Sequence, residues 1–143
     1  MEIIEVETYS EEVRHALNAM LPQLSPYASP LTEQALRAII SAEATHLFLA
    51  IAQGRICGTA TVTILNLPTA RRARIEDVVV IETMRGRGIA RELIAHAIQF
   101  SRKEGVRSIE LTSHPSRKAA EALYTKMGFR RRETNTYNYP LRS

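Results

Sequence analysis

The stretch VVVIETMRGRGIAREL (residues 78–93) joins an apolar run to an amphipathic segment, with RGRG (85–88) between them. The valine run favours a buried β-strand, whereas IARELIAHAIQFSRKEG (89–105) carries its apolar residues at helical spacing. The sequence therefore predicts a strand, a glycine-rich joint and a helix, in that order. Such a joint either only turns the chain or also holds a negatively charged ligand.

The chemistry of the joint favours the ligand. A helix N-terminus exposes unpaired N–H groups and carries a partial positive charge. Gly86 and Gly88 would let a ligand approach the backbone closely, and Arg85 and Arg87 would add positive charge. A phosphate or pyrophosphate suits this combination. Two common phosphate loops do not fit, because Gly-Lys-Ser/Thr is missing and Arg91 replaces the third glycine of a dinucleotide fingerprint.

Composition predicts one globular domain, residues 1–143, with 45% apolar and 24% charged residues. No apolar run is long enough for a transmembrane helix, and the acidic start lacks the pattern of a secretory signal. Cys57 is the single cysteine, so no intrachain disulfide can form, and a reducing, cytoplasmic location is expected. Its strand-like neighbours indicate a buried small side chain. The four histidines lie far apart, so no metal site is predicted.

The chain is mildly basic, with a net charge of +4 and a pI near 9.6. Its arginines cluster in ARRAR (70–74), RGR (85–87) and RRR (130–132). No aromatic residues suited to base stacking are interleaved with them, so neither nucleic acid nor a membrane is an expected partner. The positive charge is compatible with anionic small ligands.

The hydrophobic pattern along the chain predicts a mixed α/β sheet flanked by helices, with about six to seven strands. Ser10 and Thr32 are expected helix N-caps, Gln53-Gly54 a hairpin turn, and Gly105 a helix end. The element order is β-α-α-β-β-β-α-β-α-β. The predicted strands are 2–8, two within 45–65, 74–81, 106–113 and 129–141; the helices are 10–21, 33–43, 89–105 and 115–128; loops cover 22–30 and 67–74.

Two segments resemble the signatures of one enzyme family. RGRGIA (85–90) is similar to the Arg/Gln-x-x-Gly-x-Gly/Ala motif of the GNAT superfamily of N-acetyltransferases. SRKAAEALYTKMGF (116–129) resembles its second signature, Ala-x-x-Leu-Tyr-x-x-x-Gly-Phe, although Arg117 stands where that family often has asparagine. IEDVVV (75–80), followed by the glycine motif, is also similar to glucosamine-6-phosphate N-acetyltransferases within that superfamily. The resemblance implies the acyl-CoA N-acyltransferase fold.

The resemblance also implies acetyl-CoA, or a related acyl-CoA, as co-substrate. Its pyrophosphate would lie on the N–H groups of the joint, and its pantetheine arm would pair with the backbone of the preceding strand. The residues implied in cofactor binding are Val78, Val79, Val80, Arg85, Gly86, Arg87, Gly88, Ile89, Ala90 and Arg117.

Acyl transfer to an amine needs a base, donors for the oxyanion and an acid for the leaving thiolate. The resemblance assigns the acid to Tyr124. A backbone N–H of Val79 or its neighbour could serve the oxyanion. Glu76 or Asp77 is the expected base, with His114 or a water chain as alternatives. Either carboxylate could instead be held in an ion pair with Arg72 or Arg74, which lie close by in sequence.

The expected activity is transfer of an acetyl group to the primary amine of a small molecule. Two alternatives are acetylation of a protein N-terminus or lysine, and a non-catalytic acyl-CoA-binding domain. The last predicted strand could pair with a second copy through Tyr137, Tyr139 and Leu141, which would make a homodimer.

Overall fold

The computed structural model describes residues 1–142, which form two compact units, 1–112 and 113–142. The elements of the first unit are β1 (Glu2–Glu5), α1 (Glu11–Met20), α2 (Glu33–Ser41), β2 (Thr45–Ala52), β3 (Arg55–Asn66), β4 (Arg71–Val80), α3 (Ile89–Lys103) and β5 (Ser108–Leu111). The strands form one five-stranded sheet in the spatial order β1-β2-β3-β4-β5. Neighbouring strands are antiparallel except for the parallel pair β4–β5. The predicted α/β class with a mixed sheet is confirmed.

Local sequence signals set several element ends. Ser10 Oγ accepts the Val13 N–H at 3.2 Å, and Thr32 Oγ1 accepts the Ala35 N–H at 3.1 Å, so both predicted N-caps are confirmed. Gln53 and Gly54 have φ of 54° and 73°, as a tight hairpin between β2 and β3 requires. These contacts satisfy backbone groups that the helices and strands leave open.

The sheet is covered by helices on its two faces. On one face, Leu17, Met20 and Leu36 of α1 and α2 form a buried cluster that includes Leu49 of β2 and Val79 of β4. Alternation along β2 turns Phe48 to the opposite face. There the Phe48 ring lies 4.9 Å from His96 and 5.2 Å from Phe100, both on α3. The helix that follows β4 is therefore held against the sheet at its centre.

Gly58 of β3 allows α3 to approach the sheet closely. A Cβ at this position would lie 3.0 Å from Leu93 Cδ1, 3.2 Å from the Val79 carbonyl oxygen and 3.3 Å from Ile89 Cγ2. We expect Gly58→Val to destabilise the fold by about 1–3 kcal/mol, because α3 must move outward to accept the side chain. Chemical denaturation measures this loss, and unchanged stability would contradict the close approach.

The second unit contains one helix, α4 (Lys118–Lys126), within the described residues. The prediction of a final strand over 129–141 is wrong for this structure, which has no strand there, so the described sheet has five strands rather than six or seven. Tyr137, Tyr139 and Leu141 are almost fully exposed, so alternation in this segment does not reflect burial. Several boundaries also differ: β1 ends at Glu5 rather than at 8, α4 begins at Lys118 rather than at 115, and β4 begins at Arg71 inside the predicted loop.

Within residues 1–142, no helix combines the length and the apolar character that crossing a membrane would require.

Candidate active site

The glycine joint lies between β4 and α3, where the sequence predicted it. After β4, a short 3-10 turn (Glu82–Met84) leads to Arg85, and α3 begins at Ile89. Gly86 and Gly88 have φ of 78° and 79°, a left-handed conformation that side chains disfavour. Nothing lies within 4 Å of the Cβ position at either residue, so the backbone here faces open space.

The backbone N–H groups of this joint are available to a ligand. Among the described residues, no backbone carbonyl accepts an N–H from 86–91, whereas the Glu92 N–H already donates to the Gly88 carbonyl at 3.0 Å. Gly88 caps α3 without a side chain, so no side-chain oxygen satisfies the first turn. Arg85 and Arg87 are exposed beside these groups. The joint can therefore bind an anion through N–H groups, helix dipole and guanidinium charge.

The strand before the joint has an open edge. β5 pairs with β4 only as far as the register Ile75–Leu111, and no other strand among residues 1–142 pairs with that edge. Ile81 donates its N–H to the Cys57 carbonyl at 2.8 Å, which directs alternate residues of β4 towards β3. By this alternation Val79 faces β3, and the N–H and C=O groups of Val80 point to the open edge. An extended amide-containing ligand could pair there as an added strand.

A β-bulge interrupts β4 before this edge. Thr61 pairs with Glu76 and Thr59 with Val79, so two residues of β4, Asp77 and Val78, lie opposite one residue of β3. Asp77 has φ of 53°, one of two non-glycine residues with positive φ in the described chain. Desolvation of its carboxylate, followed by the negative charge of Glu76, raises the pKa of Asp77 above its usual value.

The neighbouring carboxylate, Glu76, is held in an ion pair. Arg74 Nε donates to Glu76 Oε1 at 2.9 Å, and Arg74 Nη1 lies 3.9 Å from Glu110 Oε2 on β5. Of the two arginines that the sequence offered as partners, Arg74 makes the contact. The two candidate bases thus differ: Glu76 has a cationic partner, whereas Asp77 makes no side-chain hydrogen bond or ion pair in the described chain.

The second unit holds Tyr124 on α4. Its ring is half-buried, and its centroid lies 5.9 Å from that of Phe129. Partial burial raises the pKa of the Tyr124 phenol, and the charge of Arg117 opposes this shift. No hydrogen bond to the phenol occurs within residues 1–142. The hydroxyl is therefore protonated near neutral pH and free to donate.

His114 and Cys57 each make a local contact with the backbone. His114 is exposed, and its Nδ1 accepts the Ser116 N–H at 3.1 Å in the turn before α4. Cys57 is fully buried, its Sγ lies 3.4 Å from the Ala50 carbonyl, and burial raises the pKa of its thiol. No cluster of three His, Cys, Asp or Glu side chains suited to a metal occurs in residues 1–142.

Two features of the site had no clear signal in the sequence. Arg85 donates from Nη2 to the side-chain oxygen of Gln23, which lies in the 3-10 turn after α1 (Leu21–Gln23). The left-handed conformation of Asp77 also went unpredicted, although aspartate is among the residues that adopt it most readily. Its position at the end of charged residues, just before an apolar run, is the only available hint.

Several known proteins are similar to this chain. The model of the acetyltransferase (GNAT) family matches residues 10–129. The N-alpha-acetyltransferase MAK3 of Arabidopsis thaliana is 37% identical over 94 residues, covering 66% of this chain and 49% of that protein. This chain thus spans about half the length of that relative.

A second relative and a solved structure agree. Glucosamine 6-phosphate N-acetyltransferase 1 of Oryza sativa subsp. japonica is 30% identical over 128 residues, covering 82% of this chain and 75% of that protein. A putative acetyltransferase from Agrobacterium tumefaciens str. C58 has the same fold, with a TM-score of 0.87, 24% identity, and coverage of 98% of this chain and 100% of that one. The family match over most of the chain leads to one conclusion: this protein belongs to the acetyltransferase (GNAT) family.

Proposed function

We propose that this protein transfers an acetyl group from acetyl-CoA to the primary amine of a small molecule, by direct attack of the amine on the thioester. One observation carries the proposal: the open edge of β4 leads, five residues later, into a joint whose N–H groups have no partner in the described chain. The edge suits an amide-containing arm, and the joint suits a pyrophosphate. Acetyl-CoA contains both groups in one molecule and supplies the activated acetyl group when bound.

The residues of the joint divide the binding task. The N–H groups of Gly86 to Ala90 would donate to the phosphate oxygens, while Arg85 and Arg87 neutralise their charge. Val78 and Val80 would pair with the pantetheine amides, because the polar groups of Val79 already face β3. For the same reason, the N–H of Val78 or Val80 is the better donor for the negative charge that develops on the acetyl oxygen.

Asp77 is the better candidate for the general base. A base must be unprotonated yet have a pKa close to the working pH, and the raised pKa of Asp77 moves it in that direction. Glu76, by contrast, is already engaged by Arg74, whose Nε donates to Glu76 Oε1 at 2.9 Å. In the proposed step, Asp77 takes the proton of the amine as the C–N bond forms. By the family resemblance, Tyr124 would give its proton to the thiolate as the C–S bond breaks.

We expect Asp77→Asn to lower kcat/KM by about 100-fold or more, the usual range for loss of a general base. Glu76→Gln should retain most of the activity, and its acid limb should move to lower pH, because removal of that negative charge lowers the pKa of Asp77. The measurement is the pH profile of kcat/KM for both variants. If Glu76→Gln is the inactive variant, the assignment of the base reverses.

Stability gives an independent check on Asp77. Its pKa is higher in the folded than in the unfolded chain, so the folded state binds the proton more tightly. Stability therefore falls as the pH rises from the usual aspartate pKa through the raised value. Asp77→Asn should be at least as stable as the natural protein at neutral pH, and this advantage should disappear in acid. Loss of activity with retained stability identifies a functional residue.

Acetylation of a protein N-terminus is the second candidate, since the Arabidopsis relative is named an N-alpha-acetyltransferase. A small anionic amine is favoured over a basic peptide, because this chain is itself basic and one of its two candidate acceptor-side carboxylates is neutralised by Arg74. Kinetic comparison of amino sugars, amino sugar phosphates and short peptides separates these candidates.

Compartment and assembly are part of the proposal. A buried, unpaired Cys57 is suited to a reducing compartment, and we propose the cytoplasm.

The exposed Tyr137, Tyr139 and Leu141 support a homodimer. Light scattering tests the dimer, which a mass of one chain at working concentration would contradict.

The decisive experiment is a calorimetric titration of the purified protein with acetyl-CoA, followed by an amine screen that detects release of the free thiol. Saturable binding at one site and amine-dependent thiol release are expected. Absence of binding would contradict the whole assignment. Binding without turnover on any amine would favour a non-catalytic acyl-CoA-binding domain.

A further inference from the structure

Arg85 connects three parts of the first unit. Its Nη2 donates to the side-chain oxygen of Gln23, which belongs to the segment between α1 and α2. Its Nε donates to the Val80 carbonyl at 3.4 Å, on the open edge of β4. Its own backbone starts the anion-binding joint. In this structure the guanidinium is therefore engaged by two acceptors of the chain itself, the Gln23 side chain and the Val80 carbonyl.

The segment that Gln23 belongs to, residues 21–31, is anchored separately at its two ends. At the far end, Asn18 exchanges two hydrogen bonds with Leu31: the Leu31 N–H donates at 2.7 Å and the amide of Asn18 donates to the Leu31 carbonyl at 3.0 Å. At the near end, the Leu24 and Ser25 N–H groups donate to the Leu21 carbonyl at 2.9 and 3.1 Å. Gln23 lies within this near turn and provides its link to the joint.

The same segment lines a small cleft. Asn18, Leu21 and Pro22 face Ala28, Ser29 and Pro30 across a volume of about 80 Å³. Tyr27, at the tip, is 97% exposed. One side of the cleft is therefore formed by the turn that the Gln23–Arg85 contact holds. Loss of that contact would change the shape of the cleft on this side.

We propose that Gln23 and Arg85 form a latch, in which the α1–α2 segment competes with the cofactor phosphates for one guanidinium. This inference rests on the proposed function. Binding of the phosphates draws Arg85 away from Gln23 and from the Val80 carbonyl, so one event frees both the near turn of segment 21–31 and an acceptor on the strand edge. Cofactor binding thereby loosens this segment. By linkage, the Gln23–Arg85 contact lowers the affinity for the cofactor by the same factor by which the bound cofactor weakens the contact.

The affinity of CoA tests the competition. Gln23→Ala should tighten CoA binding by about 3- to 10-fold, the expected contribution of one hydrogen bond to a charged donor at an exposed site. Arg85→Lys should weaken binding, and adding Gln23→Ala to it should bring much less gain, because lysine is too compact to keep both contacts. Tyr27→Ala is the matched control in the same segment and should leave CoA affinity unchanged. Equal CoA affinity of the natural protein and Gln23→Ala would overturn the latch.

Hydrogen exchange tests the structural half of the inference. CoA should accelerate exchange of the Leu24 and Ser25 amides in the natural protein, while the Leu31 amide, held by Asn18, stays protected. In Gln23→Ala these two amides should exchange rapidly with or without CoA. Slower exchange at Leu24 and Ser25 on CoA binding would overturn the latch. A natural protein that binds no CoA, but whose turn still exchanges faster in Gln23→Ala, would contradict the proposed function and leave the contact itself established.

Discussion

Gly88→Asp should weaken CoA binding by about 100-fold or more, because it places a carboxylate where the phosphates are proposed to lie. The carboxylate would repel the phosphates, and it could also cap the first turn of α3 and occupy N–H groups that the ligand needs. Calorimetric titration with CoA measures the loss. A folded Gly88→Asp protein with the affinity of the natural protein would show that the joint only turns the chain.

Gly105 offers a matched control for this variant. It follows the other end of α3 with φ of 71°, compared with 79° at Gly88, and neither residue has an atom within 4 Å of its Cβ position. An alanine at either site should therefore lower stability by a similar amount, about 1–2 kcal/mol, because its side chain is strained in the left-handed conformation. Only Gly88→Ala should also weaken CoA binding. Equal effects of the two alanines on binding would mean that destabilisation alone explains the loss.

Tyr124→Phe should lower kcat by about 100-fold or more while CoA affinity changes less than about twofold. Its hydroxyl makes no hydrogen bond within the described chain, and its ring contact with Phe129 needs no oxygen, so the fold should be unaffected. The loss then reflects a missing proton for the leaving thiolate. Steady-state kinetics, with CoA titration of the same variant, provides the measurement.

The pH dependence of activity tests whether Tyr124 acts as the general acid. Because the pKa of Tyr124 is raised, the phenol should stay protonated through neutral pH, and activity should fall only in alkali as it ionises. That alkaline limb should be absent from Tyr124→Phe. Tyr137→Phe, at an almost fully exposed position, is the control and should keep both the rate and the limb. An unchanged kcat in Tyr124→Phe would exclude this role.

Features governed by neighbouring residues could be predicted from the sequence. The caps at Ser10 and Thr32, the turn at Gln53-Gly54 and the joint at RGRG depend on side chains or glycines within a few residues. The hydrophobic pattern gave the order of the elements, and the family resemblance added the fold. Where local chemistry and the hydrophobic period agreed, the structure agreed as well.

Features that depend on distant partners could not be predicted in the same way. The contact between Gln23 and Arg85 joins residues 62 positions apart, and no pattern in either segment indicates it. The choice of Arg74 over Arg72 as the partner of Glu76 depends on strand geometry, and the bulge at Asp77 depends on the register against β3. The alternation in 129–141 resembled a strand because period alone does not reveal whether a partner strand is present.

The bulge in β4 makes the site separable from the scaffold. Glu76 and Val79 lie on the same sheet face, since their partners Thr61 and Thr59 are two residues apart in β3. Asp77 thus acts as a one-residue insertion that leaves the orientation of both halves of β4 unchanged. A chain that lost Asp77 could regain an uninterrupted ladder with the same core, so the fold could persist without the proposed activity. Proteins descended from such a deletion variant would share the fold of this protein but lack its proposed base.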